Sequence, residues 1–260
     1  MRTEFSIDDP EWRRWSNVDN GIYVRQGISL KELSRPQREA AFNLLHSSLS
    51  AKGLKLSKDL MKMDQTLREI NGGAEQYDEE LYFITIMGIP SEDKPWGWQI
   101  DGHHLVINYF VLGDQIVMTP TFMGGEPVVT TTGKHAGNSI LQDEQNMGLS
   151  IMQSLSPDQR KDATIESRKF TDNMRGAANQ DNLILDYIGL SVSGLAKSDK
   201  DSLLKLIALY VSNMKEDHAD IKMDDVEKHI DETYFAWVGE TSDDAIFYYL
   251  IHSPVILIEF

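Results

Sequence analysis

The sequence contains no cysteine, which removes disulfides, thiolate nucleophiles, iron-sulfur clusters and cysteine-ligated zinc from consideration. It is also short of positive charge: 25 Lys and Arg stand against 41 Asp and Glu, a formal net charge of -16. That field repels a phosphate backbone and offers no basic stripe to release counterions, so no nucleic acid partner is expected. An anionic membrane surface is disfavoured on the same ground, and no run of about 18 apolar residues is present to span a bilayer. The first ten residues, Met1 to Pro10, hold no apolar core of signal-peptide length. The chain as written is therefore expected to be soluble and cytoplasmic, although a secretion signal removed earlier would leave the same record. HExxH, GxGxxG, Walker and nucleophile-elbow patterns are missing as well, so no defined catalytic mechanism is spelled out.

What is present suffices for a packed core: 260 residues, 41% of them hydrophobic. Trp12 and Trp15, three apart, suit one face of a short helix that anchors the amino-terminal arm. Ser34-Arg35-Pro36-Gln37 fits a capping box, and Ala40, Phe42, Leu44, Leu45 and Leu49 supply the stripe of a helix that Gly53 would stop. A second helix is predicted over Lys58 to Ile70, ending at Asn71-Gly72-Gly73. From Leu81 to Met87 the pattern becomes that of a buried strand. The Leu112-Gly113-Asp114 turn and the run Gln115 to Thr119 then read as an antiparallel meander. Thr119 to Pro127 is a loop, because its prolines exclude a central strand.

Residues 139 to 230 read as helical. Ser156-Pro157-Asp158-Gln159 is a second capping box, and Leu203, Leu204, Ile207, Ala208 and Val211 form the strongest amphipathic stripe. Phe170 to Gly194 is less regular and reads as a cover. Strands return at Thr233 to Val238, Ile246 to Ile251 and Val255 to Phe260. The order predicts a single α+β domain over 1–260, its antiparallel sheet formed by central and C-terminal strands with the N-terminal and inserted helices packed on it. Ending inside an apolar strand leads to the expectation that more chain follows, and an exposed edge at Val255 to Phe260 predicts a homodimer through that strand.

Of seven histidines, His103 and His104 stand apart, because they sit where Trp96-Gly97-Trp98-Gln99-Ile100-Asp101-Gly102 turns toward an apolar run. Three readings fit. In the first, Asp101-Gly102 is a two-residue hairpin loop; in the second, Gly102 marks a bulge or a close backbone approach in a continuing strand; in the third, the histidines are core residues with satisfied nitrogens. In a regular strand His103 shares a face with Asp101 and Leu105, and His104 with Val106 and Asn108, so both could bind one metal only if Gly102 bends the chain. Asp101 is then the candidate carboxylate to orient His103, and Asn108 a neutral hydrogen-bonding group beside His104. Trp96 and Trp98 share a face and offer either a stacking platform or core packing. Glu259 interrupts an apolar strand, either facing solvent or buried with a partner.

Trp96 to Leu105, followed by Thr119-Pro120-Thr121-Phe122-Met123-Gly124-Gly125-Glu126-Pro127, resembles the bacterial family called domain of unknown function 3500. Gly27 to Leu30 with Leu33 to Arg38, Tyr82 to Pro90, Tyr234 to Gly239 and Tyr248 to Phe260 resemble further family segments in the same order. The resemblance implies no reaction. It does imply that family chains continue past the position of Phe260 into a histidine-bearing segment, so that a metal site shared with that segment would be only half supplied here. The sequence therefore leads to a metal-dependent hydrolase or oxygenase acting on a small molecule, hydrolysis being favoured because no redox-cofactor pattern is found. Asp101, His104 and Asn108 are its catalytic candidates, and Trp96, Trp98, Phe122 and Glu126 its ligand-binding ones. His103, His104 and Glu259 are candidates to hold a divalent metal ion, with His252 as an alternative to Glu259. The competing expectation is a non-catalytic small-ligand-binding or interaction protein with structural histidines.

Overall fold

The computed structural model describes residues 3–170, 173–176, 178, 180 and 182–260; part of the segment expected to form a cover, residues 171, 172, 177, 179 and 181, lies outside them. The chain divides into two compact units, the main boundary falling between Leu141 and Gln142. In the first, β1 (Glu4–Phe5), β2 (Ile28–Ser29), α1 (Arg35–Ser48), α2 (Ala51–Ile70), β3 (Tyr82–Met87), β4 (Trp96–Gly102), β5 (Leu105–Leu112), β6 (Gln115–Val117) and β7 (Thr121–Met123) follow in order. The sheet runs β1-β3-β4-β5-β6, with β2 also on β3 and β7 also on β5. Only β1 pairs parallel.

The two helix entries obey their side-chain chemistry. Gln37 Oε1 accepts from the Ser34 backbone N–H (3.0 Å) and hydroxyl (2.7 Å), starting α1 as expected. The predicted stop at Gly53 does not occur. Leu49 is extended (φ -111°, ψ 156°), and Ser50 caps α2 by accepting from Gly53 N at 3.0 Å. A side-chain cap at Ser50 outweighs the weak helix propensity of Gly53, so α2 begins seven residues before Lys58, at Ala51. Leu60, Met61 and Met63 of α2 join Leu45 and Leu49 against Tyr82, Trp98, Ile100, Leu105, Ile107 and Tyr109 of the sheet. Alternation puts Thr85, Gln99, Asp101, Val106 and Asn108 on the other face, where they too are buried. There the amino-terminal arm is pinned as expected: Trp12 packs edge-on to Phe110 (6.2 Å), and its Nε1 donates to Ile7 O at 2.8 Å.

The second unit holds α3 (Gln142–Ser154), α4 (Pro157–Ala163), β8 (Thr164–Glu166), β9 (Leu190–Ser191), α5 (Lys197–Val211), α6 (Glu216–Lys228), β10 (Tyr234–Gly239), β11 (Phe247–His252) and β12 (Leu257–Glu259). Its sheet runs β12-β11-β10-β8, with β9 also on β10. Leu203, Leu206, Ile207 and Val211 of α5 pack with Phe235, Trp237, Tyr249 and Ile251. The strands β8 and β9, inside a stretch read as helical, have only three and two residues and owe their identity to pairing with β10.

The α+β class holds, but the single expected sheet is two. Among the described residues no central strand pairs with a C-terminal one. The central hairpin closes its free side with β6 and β7, whereas β10 takes β8, β9 and β11 as partners. No helix of the described residues is long and apolar enough to cross a membrane.

Candidate functional site

The hairpin of β4 and β5 turns at the histidines themselves. Gly102 pairs with Leu105, leaving His103 and His104 as the two loop residues, so the readings that placed the turn at Asp101-Gly102 or ran a strand through the histidines are superseded. Face alternation no longer separates them: their rings lie 3.7 Å apart, tilted by 30°. His104 holds a left-handed φ of 61°, a region where a turn ordinarily places Gly or Asn. Its carbonyl accepts from Gly124 N at 2.8 Å. This contact ties the Gly-His-His turn to the residue that follows β7.

Gly102 is the close backbone approach that one reading anticipated. It sits opposite Tyr82, and a Cβ there would lie 2.2 Å from Tyr82 Cδ1. The missing side chain lets the fully buried Tyr82 ring cross the strand toward α2. There its hydroxyl lies 2.5 Å from Asp64 Oδ2 and 2.8 Å from the His103 carbonyl. Asp64 Oδ1 in turn lies 2.7 Å from His103 Nδ1.

Proton counting constrains this network. A phenol has one hydrogen and a carbonyl can only accept. Both Tyr82 contacts are therefore satisfied when Tyr82 donates to His103 O and a neutral Asp64 donates to the phenol. Burial pushes the Asp64 carboxyl up in that direction, against the opposing pull of His103 and Tyr82. Burial, with the neighbouring His103 and Arg25 charges, pushes His104 down to about 3, so its imidazole is neutral near pH 7. Its Nδ1 is buried with no hydrogen-bond partner among the described residues. One ligand atom each of Asp64, His103 and His104 lie mutually within 4.8 Å.

Asp101 does not orient His103. Its carboxylate accepts from Arg25 Nε at 3.0 Å on the opposite face of the sheet, where burial lifts it to about 7 against the pull of Arg25. Arg25 spends three further donors on Asn20 Oδ1 and the carbonyls of Ser16 and Val18. Asn108 shares that face, because a two-residue turn keeps Asp101 and Asn108 in step: it accepts from Gln99 Nε2 (2.7 Å) and donates to Pro120 O (2.9 Å). Asp101 is thus tied to Arg25 and Asn108 to Gln99 and the Pro120 carbonyl, on the face of the sheet opposite the His103 side chain.

Trp98 is buried and stacked on Tyr109 at 5.2 Å, so no platform forms there; Trp96 is half-buried on the same core. Phe122 lies 6.4 Å from the His104 ring and 6.4 Å from that of Trp15, while Glu126 is exposed. Glu259 stands in the second unit with its carboxylate filled by Arg175 N (2.6 Å), Gly176 N (2.7 Å) and the Tyr248 hydroxyl (2.6 Å). It is not in the cluster with His103 and His104, and three donors account for the carboxylate inside an apolar strand. His252 packs on Tyr187 at 4.4 Å in that same unit.

The residue that sequence reasoning missed is Asp64, with Tyr82 behind it. A signal existed: Asp64 interrupts the buried stripe Leu60, Met63, Leu67 of α2, where a carboxylate needs a partner. No curated protein and no solved structure matches the chain. A family model does, from residue 1 to 260, and the chain accordingly belongs to the family described as protein of unknown function, DUF3500.

Proposed function

We propose that this protein is a metal-dependent enzyme acting on a small molecule, a hydrolase or an oxygenase. Its divalent ion is held by His103 and His104, and Asp64 fixes His103. The observation that carries this reading is the buried Nδ1 of His104, unpartnered among the described residues, in a residue held by a left-handed backbone and offering a ring nitrogen within 4.8 Å of ligand atoms of Asp64 and His103. A buried imidazole nitrogen without a partner is a lasting cost that coordination would relieve. Asp64 on Nδ1 of His103 leaves Nε2 as that ring's ligand atom, the arrangement in which a carboxylate sets the tautomer and orientation of a metal-binding histidine. Two imidazoles with a nearby carboxylate suit zinc of the hydrolytic kind and iron of the oxygen-activating kind alike.

A divalent ion bound there supplies Lewis acidity and a bound water of lowered pKa. The chain's own contributions are separate. Tyr82 and Asp64 hold the turn from behind, the neutral imidazole of His104 is ready to ligate without losing a proton, and the Phe122 ring packs 6.4 Å from it.

A second reading makes the cluster a structural lock that ties α2 to the hairpin, and the complete pairing of Asp64 and Tyr82 favours it. Metal analysis and melting of the purified protein separate the two. The metalloenzyme requires close to one equivalent of zinc, iron, copper or manganese, a rise in Tm on adding that metal, and loss of both effects in His103→Ala and His104→Ala. Wild-type protein that carries no metal after growth with all four, and whose melting none of them moves, refutes it.

A further inference from the structure

A cleft of about 630 Å³ in the first unit is lined by His46, Lys55, Lys58, Lys62, Lys134, His135 and a few small neighbours. Its composition runs against the molecule. A chain with a net charge of -16 places four lysines there against one lining carboxylate, Asp59. Lys55, Lys58 and Lys62 recur at positions i, i+3 and i+7 of α2, which sets them on one helix face. Asp59 is shared between two of them: it lies 2.7 Å from Lys62 Nζ and also pairs with Lys55. Lys134 is met from outside the lining by Glu79, whose other oxygen lies 2.6 Å from His135 Nε2. Lys58 has no carboxylate among the described residues; its ammonium lies 5.0 Å over the Phe42 ring. Glu69 also stands beside Lys134, accepting from its backbone N–H at 3.2 Å, so against four ammonium groups there are Asp59, Glu79 and Glu69, and Lys58 is the one left without a carboxylate among the described residues.

We propose that this cleft binds the phosphoryl group of a small organic phosphate. The lining cations are ammonium groups, compact point charges of the kind that bind a multiply charged oxyanion such as a phosphoryl group. The volume exceeds that of a phosphate ion and falls in the range of small-molecule pockets, while Ala51, Leu54 and Ala136 give the organic part an apolar wall. With the rest of the surface acidic, attraction is local to the cleft and is screened by salt. The inference does not rest on the metal reading, because none of these residues belongs to the Asp64–His103–His104 cluster.

The test is calorimetric titration of the full chain with inorganic pyrophosphate at 50 mM NaCl, after chelator treatment and dialysis so that no metal can carry the ligand. Saturable binding of one pyrophosphate per chain is expected, weakened about fivefold or more by each of Lys58→Gln and Lys62→Gln, the loss of one ammonium at contact distance. Lys228→Gln, a charge-matched change on the surface of the second unit, should leave the affinity unchanged. An absence of saturable binding overturns the proposal. So does binding that survives both cleft variants, or that Lys228→Gln weakens as much as they do.

Discussion

Replacing His104 by glycine separates a functional imidazole from a structural one. A packed side chain cut back to nothing ordinarily costs about 2–5 kcal/mol. At position 104 two features push the other way. A non-glycine residue in the left-handed region carries about 1–2 kcal/mol of strain, which glycine relieves at the observed φ of 61°. A buried nitrogen without a partner costs a further 1–3 kcal/mol or so, and Nδ1 is such a nitrogen. Against these stand the ring's contact with His103 at 3.7 Å and the added freedom of an unfolded glycine, about 0.5–1 kcal/mol. The partly exposed imidazole gains from burial at the low end of the usual 1.5–3 kcal/mol or so for a large side chain. The opposing effects nearly cancel, so metal-free His104→Gly is expected within about 1 kcal/mol of wild type. Urea unfolding followed by tryptophan fluorescence reads this directly, because four of the five tryptophans, Trp12, Trp15, Trp96 and Trp98, lie in the first unit. Metal should then stabilise the wild type by mass action, by about 2.7 kcal/mol at a hundred times Kd, and leave the variant unmoved. A loss of 3 kcal/mol or more in the metal-free variant would show that the ring is a structural element and would refute the argument from strain.

Gly102→Ala should destabilise the first unit by about 2–4 kcal/mol, since a Cβ 2.2 Å from the Tyr82 ring forces out a side chain whose hydroxyl is tied at 2.5 and 2.8 Å; a variant that unfolds like wild type in urea would deny that close approach. Asp78 supplies a pH dependence. Burial alone would raise its pKa, but Lys31, the Glu80 N–H and Arg68 outweigh burial and hold it below the usual carboxylate range. A carboxylate depressed in the folded state contributes stability above its unfolded pKa near 4 and loses it as pH falls below. The Tm deficit of Asp78→Asn should therefore be visible at pH 7 and shrink by pH 3, whereas a deficit that grows on acidification would contradict the pairing. The strand β12 has one side on β11 and stands at the edge of its sheet, with Leu257 37% exposed, so a homodimer through that edge is proposed. Light scattering at micromolar concentration should give twice the 29.5 kDa chain mass, and a clean monomer counts against it.

The elements legible in the sequence are those fixed by local chemistry. Ser34 and Ser156 start helices because their side chains and the glutamines three residues on satisfy free backbone donors wherever the chain goes next. The strands Tyr82–Met87 and Tyr234–Gly239 are marked by runs too apolar and branched to be anything but buried. What the sequence hides is pairing between distant segments. The strands β8 and β9 are defined by their pairing with β10, and the division into two sheets depends on which distant strands pair. The site suffered in the same way. Asp101 stands two residues from His103, yet it faces Arg25, while Asp64, 39 residues away, reaches the imidazole. Distance along the chain gives no measure of contact once a helix packs on a sheet.

The order Gly-His-His acquires a physical meaning from this arrangement. Without a side chain at 102, Tyr82 crosses the strand and reaches both Asp64 and the His103 carbonyl. With Tyr82 and Asp64 in place, His103 is fixed at its backbone oxygen and at Nδ1, and its ring has one nitrogen left to offer. The turn must then close in two residues before Leu105, which puts His104 in the left-handed region and lays its ring on that of His103. A glycine or asparagine at 104 would close the same turn with less strain. The backbone explains why a turn is there, and Tyr82 and Asp64 explain His103. An imidazole at 104 is explained by neither, and the metal proposed above would supply the partner that its buried nitrogen lacks among the described residues.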